Sequence, residues 1–513
     1  MFLLSMLNSK ENSANGKTGM GLFSFIWVGQ LVSILGTSMV RFGLMYWAWL
    51  ETGQATAVAL LGFFSFAPQL LLEPFAGALV DRWNRKVTII LADLVAGMGT
   101  IATLILYSSG VLEVWHLYVI ATFVGALSSF HFPAFSAAVT MMVDKKQYGR
   151  AASMLGLAGS VSEIFAAPIA AVLLVWVGLP GILVIDIFTF TFAVSVLLIA
   201  RIPQPEKARD LGKGMRGLWR DSKYGFRYIF KRKSLLGLQL TYFGSNFFGN
   251  IAFILMAPMV LAITSSDKVA LATVMAGAGV GGLIGGIIMS AWGGSKTWKI
   301  GVIMCGILVE GLVMVSFGLV LGVPLWTVIA FILAFSGPFV WGSSQAIWQS
   351  KVEPNKQGRV FGARGFIAMS AGAVGMVIAG PLADMVFEPG MAGSGFLART
   401  FGWLLGNEIG SGMRLIMILC GIGTLATAVV ALSVPKVRNL ESIVPDADSP
   451  QARLADYREL LWRAHRKGKL TRGECAGLYS KKKAALMAKA AAPAGDADGK
   501  PIAQADGGGG PTT

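Results

Sequence analysis

A chain of 513 residues with 55% hydrophobic and only 14% charged residues, at a mean hydropathy of +0.65, cannot cover a water-soluble surface; soluble domains carry roughly a quarter of their residues as charges. The formal charge of +16 does not indicate nucleic acid, because the cations sit in short turns between apolar runs and in the tail. Cys305, Cys420 and Cys475 are too scattered for a zinc site and too few for a disulfide framework, which leaves two small apolar fillers and one tail thiol.

Residues 1–20 have no basic n-region and an apolar run only from Phe2 to Leu7, too short for a signal peptide, so this segment is expected in the cytoplasm. A bilayer core takes roughly 20 apolar residues in helix. Such runs predict spans 1 to 6 near 22–50, 55–80, 86–108, 114–141, 151–176 and 179–200, and spans 7 to 12 near 236–263, 269–292, 298–320, 324–349, 360–383 and 411–434. The expected organisation is a first six-helix bundle over 21–200, a basic linker over 201–235, a second bundle over 236–435, a helical tail over 436–490 and a disordered end over 491–513. The turns after even-numbered spans hold Arg82, Arg85, Lys86, Lys145, Lys146, Arg150, Lys296, Lys299, Lys351, Lys356 and Arg359. The opposite turns offer only Lys268, Arg399 and Arg414, so the positive-inside rule predicts both termini in the cytoplasm. In the linker, Trp219, Tyr224, Phe226, Tyr228 and Phe230 interleave with cations, which predicts an amphipathic helix lying on anionic headgroups.

The halves carry a weak internal copy. Val143-Asp144-Lys145-Lys146-Gln147-Tyr148-Gly149-Arg150 matches Val352-Glu353-Pro354-Asn355-Lys356-Gln357-Gly358-Arg359 at an offset of 209 residues (352 − 143). The same offset pairs Gly77 with Gly286 and Trp83 with Trp292. The predicted fold class is therefore all-α: a polytopic membrane protein of 12 transmembrane helices in two six-helix, pseudo-symmetric bundles. Parallel repeats of this kind build one class of transporters, with substrate held between the halves near the midplane.

Gly77-Ala78-Leu79-Val80-Asp81-Arg82-Trp83-Asn84-Arg85-Lys86 resembles the signature loop of the major facilitator superfamily. Gly29-Gln30-Leu31-Val32-Ser33, Arg41-Phe42, Phe132-Pro133-Ala134, Asp186, Thr189-Phe190 and Gly380-Pro381-Leu382-Ala383-Asp384 resemble its drug and siderophore exporter branch. That resemblance covers about residues 20–440. Glu73 and Ala167-Pro168 depart from the branch, where glycine and Gly-Pro are usual.

Gly77 lets span 2 press against a neighbour, and Asp81 at the membrane edge is placed to meet the positive end of a helix. The resemblance makes span 11, opening at Gly358-Arg359, that helix. With Arg82, Lys86 and an Arg85–Asp144 pair, these residues form a latch between the halves on the cytoplasmic side, and Asp93 is assigned to it. The offset maps Asp81 to Ser290 and Arg85 to Gly294, so the latch is one-sided.

Charges at membrane depth are costly and usually functional. The resemblance gives spans 1, 4, 7 and 10 as cavity lining, which puts Gln30, Arg41, His131, Asn246 and Asn250 first. Arg41 and Asp186 are expected to pair. Glu163 is the expected proton carrier, with Glu310 another intramembrane carboxylate and Gln345 adding neutral polarity. Gly277, Gly281 and Gly285 mark a close-packing face rather than a phosphate loop, since no Lys-Ser/Thr follows. No nucleotide motif, catalytic triad or metal cluster is visible, so the chain is not expected to be an enzyme and needs no cofactor beyond a proton gradient. In the tail, Thr471 and Glu474 form a capping box, and self-association through this region is one expectation.

Together these features predict a secondary active transporter of the cell membrane, exchanging protons for an amphipathic small molecule by alternating access. An importer on the same fold and a non-transporting scaffold acting through the tail are the rival readings.

Overall fold

The computed structural model describes residues 19–80, 83–143, 147–200, 215–295, 297–393 and 395–447, with scattered positions from 449 to 484. Twelve of its helices are long and apolar enough to cross a membrane. In the first half they are α1 (Gly19–Thr52), α2 (Ala55–Val80), α3 (Arg85–Ser108), α4 (Val114–Met142), α5 (Tyr148–Trp176) and α6 (Gly178–Ile199). In the second they are α7 (Lys233–Ile263), α8 (Lys268–Trp292), α9 (Lys299–Leu319), α10 (Val323–Lys351), α11 (Pro354–Pro381) and α12 (Ser411–Ser433). The protein is an all-α, multi-pass membrane protein. α11 begins at Pro354 rather than near 360, because proline at the first helical position loses no hydrogen bond and presets the backbone angle.

The offset between halves is structural. α4 and α10 correspond end to end at 209 residues (323 − 114 and 351 − 142). The correspondence lapses only at the last helix, where α12 starts 233 residues after α6 (411 − 178). The 24 added residues (233 − 209) fall in the connection from α11 to α12, expected as a long loop. Instead the chain forms a π-helical turn, Leu382–Phe387, a short helix, Glu388–Met391, and a far-face helix, Phe396–Leu405. We call the membrane face with the connections after α2, α4, α6, α8 and α10 the basic face, and the opposite one the far face.

Small residues set the helix spacing where apolar burial cannot, since lipid is as apolar as a leucine side chain. Cβ atoms added at Gly277, Gly281 and Gly285 of α8 would run into the carbonyl oxygens of Thr327, Phe331 and Phe335 on α10, while Gly286 faces open space. Gly281→Ala is therefore expected to destabilise the protein by about 1–3 kcal/mol, and Gly286→Ala to leave it unchanged. Melting temperatures of the two variants in detergent check this; equal values would remove the close-packing role.

Three apolar clusters organise the interior. The largest draws on both bundles, joining Phe42, Trp49 and Val58 to Leu255, Met259 and Ala383. The other two each belong to one bundle, one around Phe130 and Met142, the other around Trp348 and Leu238. The linker forms a helix, Met215–Lys231, but its apolar side meets protein rather than headgroups. Tyr228 and Ile229 are buried in the second bundle's cluster, and Gly225 lies against the Arg359 carbonyl of α11. That corrects the expected lipid-lying helix: amphipathicity fixes an apolar face without naming what covers it. The start of the tail is also fastened down. The Ile300 amide donates to Glu441 Oε1 at 2.7 Å, Lys351 Nζ donates to the Glu441 carbonyl at 2.9 Å, and Lys351 pairs with Asp446 at 2.9 Å. Farther on, the capping box forms: the Thr471 amide and hydroxyl donate to Glu474 Oε2 at 2.7 and 2.8 Å, and the Glu474 amide donates back to Thr471 Oγ1 at 3.3 Å. These donors hold the Glu474 carboxyl below its ordinary value. This cap is complete above the ordinary carboxylate range and is lost as pH falls through the lowered value. The helix expected over 454–464 lies outside the described residues, apart from Leu461.

Candidate functional site

α1, α3 and α4 bring three polar side chains together at membrane depth. Asp93, eight residues past the start of α3 and thus about 12 Å along it, accepts from Gln30 Nε2 of α1 at 3.0 Å. His131 Nε2 of α4 lies 3.1 Å from Asp93 Oδ1 and 3.1 Å from Gln30 Oε1. Gln30 and Asp93 are buried, while the imidazole keeps partial exposure. A carboxylate and an imidazole at this distance form an ion pair when the ring is protonated, and the amide fixes both by donating to one and facing the other. Asp93, assigned from sequence to the latch, thus stands with the cavity residues Gln30 and His131.

A second carboxylate closes the same bundle. Asp186 of α6, 2% exposed, accepts from Thr100 Oγ1 of α3 at 2.7 Å and from Thr37 Oγ1 of α1 at 3.3 Å. Gly36 makes the room: a Cβ there would lie 2.8 Å from Asp186 Oδ1. The expected Arg41–Asp186 pair is thereby replaced by hydroxyls, since Arg41 is exposed and donates to Ser38 Oγ at 3.4 Å. A two-residue error in helical phase is enough to turn a long side chain from a buried partner to the surface.

The second bundle holds a cation where the first holds a carboxylate. Arg364 of α11 donates to Gln345 Oε1 at 2.7 Å and Ser344 Oγ at 2.9 Å, both on α10, and sits 5.4 Å from the Trp348 ring centre. Gln239 Nε2 of α7 donates to the Arg364 carbonyl at 3.1 Å. Gln239 is the repeat mate of Gln30 (239 − 209), so the same residue anchors a polar group in each half. Arg364 is absent from the expected site because it follows Arg359 closely and resembles one more loop cation; the matched glutamines were the signal for it. Glu310 of α9 accepts from Ser245 Oγ at 3.0 Å. Asn250 Nδ2 donates to the Asn246 carbonyl at 2.8 Å, and the Asn250 side chain lies 3.1 Å from where a Cβ at Gly372 would be. Neither asparagine joins the Arg364 group through these bonds.

Of the expected latch, Asp81, Arg82 and Asp144 lie outside the described residues, as do the surroundings of Gly77 and the side chain of Glu163. Arg85 is half-buried. Lys86 Nζ donates to the Leu198 and Ala200 carbonyls, both at 2.9 Å, so it caps the C-terminal end of α6 within its own bundle. Arg359 faces the linker helix, 5.3 Å from the Tyr224 ring centre.

At the far face the bundles are tied together. Tyr46 Oη of α1 donates to the Ser266 carbonyl at 3.1 Å, and Trp49 Nε1 to Ser266 Oγ at 3.3 Å. Ser265 and Ser266 hold positive φ of 53° and 65°, a left-handed backbone that costs a non-glycine residue roughly 1–2 kcal/mol. The turn is held in that shape while it presents these acceptors to α1. Across from it, the amides of Ala55 and Thr56, opening α2, donate to Asp384 Oδ1 at 3.0 Å and Oδ2 at 2.7 Å. Among the described residues, every hydrogen bond printed between the bundles by side chains is one of these four.

Relatives carry the same pattern. The Major Facilitator Superfamily profile matches residues 26–376, more than half of the chain. Macrolide efflux protein A of Streptococcus pyogenes is 27% identical over 387 residues, covering 71% of this chain and 90% of that one. Macrolide efflux protein A of Enterococcus faecalis is 28% identical over 343 residues, covering 62% and 98%. In fold, the chain is similar to a bacterial homolog of the human lysosomal transporter Spinster (TM-score 0.60, 15% identity, 80% of this chain and 96% of that one). It is also similar to the nucleoside transporter NupG (TM-score 0.61, 11% identity, 80% and 98%). Twelve spans in two repeated halves, a signature loop between the second and third, and a profile match across both halves make this chain a member of the major facilitator superfamily, a transporter of small molecules and not an enzyme.

Proposed function

We propose that the protein exports amphipathic small molecules of the macrolide and drug type in exchange for protons, with its basic face in the cytoplasm. The observation that carries this reading is the Asp93–His131 contact of 3.1 Å at membrane depth, bridged by Gln30. A carboxylate and an imidazole in contact give one proton two alternative holders near neutral pH, and a buried ion pair changes its charge when that proton leaves. Antiport needs such a switch. The relatives named for macrolide efflux support export, and the cation asymmetry of the loops supports the orientation. The proton role assigned from sequence to Glu163 passes here to Asp93 and His131.

The test uses everted membrane vesicles containing the full chain, energised with an imposed pH gradient and supplied with a macrolide and with ethidium. Uptake that a protonophore abolishes is expected. In Asp93→Asn the protein is expected to reach the membrane in normal amount and to lose gradient-driven uptake, with Glu163→Gln measured in parallel. Full gradient-driven uptake by Asp93→Asn would remove the proposed proton site. Uptake only into right-side-out vesicles would reverse the direction.

A further inference from the structure

Away from the bundle interface, a groove of about 550 Å³ opens between α7 and α12. The helices touch deep in the membrane, where a Cβ at Gly423 would lie 2.6 Å from the Phe248 ring and one at Gly244 2.6 Å from Thr427 Cγ2. Toward the basic face they part, and Leu240 and Val430, 56% and 61% exposed, form apolar walls. Fifteen residues separate Lys233 at the mouth from Phe248 at the deep end (248 − 233). That is about 22 Å of helix, close to one leaflet with its headgroups.

The mouth is cationic. Lys233 is the first residue of α7, and Lys436 lies in the four-residue helix Pro435–Arg438 that follows α12. Both are exposed, and among the described residues neither ammonium has a carboxylate partner. Arg232 gives α7 no side-chain cap, so the positive end of a 31-residue helix faces the same place.

An apolar slot one leaflet deep, closed at the bottom and bordered by two cations at headgroup level, matches one kind of molecule in its surroundings. A cationic amphiphile would be repelled at the mouth, and a zwitterionic lipid would draw no net attraction there. We propose that the α7/α12 groove binds an anionic diacyl phospholipid, with one acyl chain along Leu240 and Val430 and the phosphate between Lys233 and Lys436. Charge-assisted contacts to a phosphate oxygen are the strong ones available to ammonium groups. Two lysines near an anionic lipid favour it by about 30-fold in affinity.

Native mass spectrometry of the detergent-purified full chain tests this, titrating phosphatidylglycerol and phosphatidylethanolamine of identical acyl chains. The wild type is expected to prefer phosphatidylglycerol by about 30-fold. Lys233→Ala/Lys436→Ala is expected to reduce that preference toward unity. Ala426→Trp, at an exposed groove position, is expected to weaken binding of both lipids by filling the slot. Glycerol phosphate in excess is expected not to displace bound lipid, which separates a lipid site from a simple phosphate site. No headgroup preference in the wild type, an unchanged preference in the double lysine variant, unchanged binding in Ala426→Trp, or displacement by glycerol phosphate would each overturn the proposal. The readout is binding, so it stands or falls independently of what the protein transports.

Discussion

Arg414→Ala is expected to be among the most destabilising single substitutions in the protein, costing about 3–5 kcal/mol. Arg414 lies in the first turn of α12 and is 4% exposed. Its Nε donates to the Gly318 carbonyl at 2.8 Å and its Nη2 to the Leu319 carbonyl at 2.9 Å, both at the C-terminal end of α9. Its Nη1 donates to the Leu405 carbonyl at 2.7 Å, where the far-face helix ends. One fixed cation therefore meets the negative ends of two helices, the arrangement that the helix dipole favours. Truncation to alanine leaves three carbonyls without their donor in a place that water does not fill. Arg414→Lys keeps the charge but not the planar fork, and is expected to recover only part of the loss. Thermal unfolding in detergent, followed by the fraction remaining monodisperse, measures both variants. A melting temperature for Arg414→Ala equal to the wild type would show that the three contacts contribute nothing.

The second large effect is expected at Asp384, on the balance between conformations rather than on folding. Its two oxygens take the first amides of α2 at 3.0 and 2.7 Å, from the other bundle. Hydrogen bonds to a charged acceptor contribute about 1.5–3 kcal/mol, so Asp384→Asn is expected to raise the population open at the far face by roughly tenfold or more. A cysteine at Val58, one turn inside α2 and buried in the cluster shared by both bundles, reports on that opening in a background lacking the native cysteines. Alkylation by a membrane-impermeant maleimide is expected to accelerate by about the same factor. An unchanged rate would mean that Ser266 and the apolar cluster close the far face without Asp384.

The spans were legible in the sequence because hydrocarbon thickness imposes a length on every apolar run. Short polar turns such as Asn84-Arg85 then mark where helices begin. The glycine stripe of α8 was legible for a related reason: a four-residue repeat has one structural meaning on a helix. The candidate site was legible in its ingredients and not in its pairings. Gln30, Asp93 and His131 lie 63 and 101 residues from one another along the chain, and their meeting depends on the packing of α1 against α3 and α4. Asp93 was assigned to the loop because sequence distance ranks neighbours along one helix ahead of partners on another. Lys86 counted correctly toward the charge asymmetry, yet its task of capping α6 depends on where the Leu198 and Ala200 carbonyls end. Arg364 was hidden by that same rule, which treats every cation near a helix end as a loop residue.

The short segment after α11 carries two carboxylates with separate allegiances. Asp384 holds α2 of the first bundle, and Glu388 holds the start of α12, accepting from the Gly410 amide at 3.0 Å and the Met413 amide at 2.8 Å. Glu388 and the rest of the stretch toward α12 belong to the 24 residues by which the second half outruns the first. In terms of descent, the duplicated ancestor had a direct turn at this point, such as the one still seen at Val177 between α5 and α6. The fastening of α12 is thus an addition to one copy only, and the symmetry of the two halves is broken on the face where their side chains now hold each other shut.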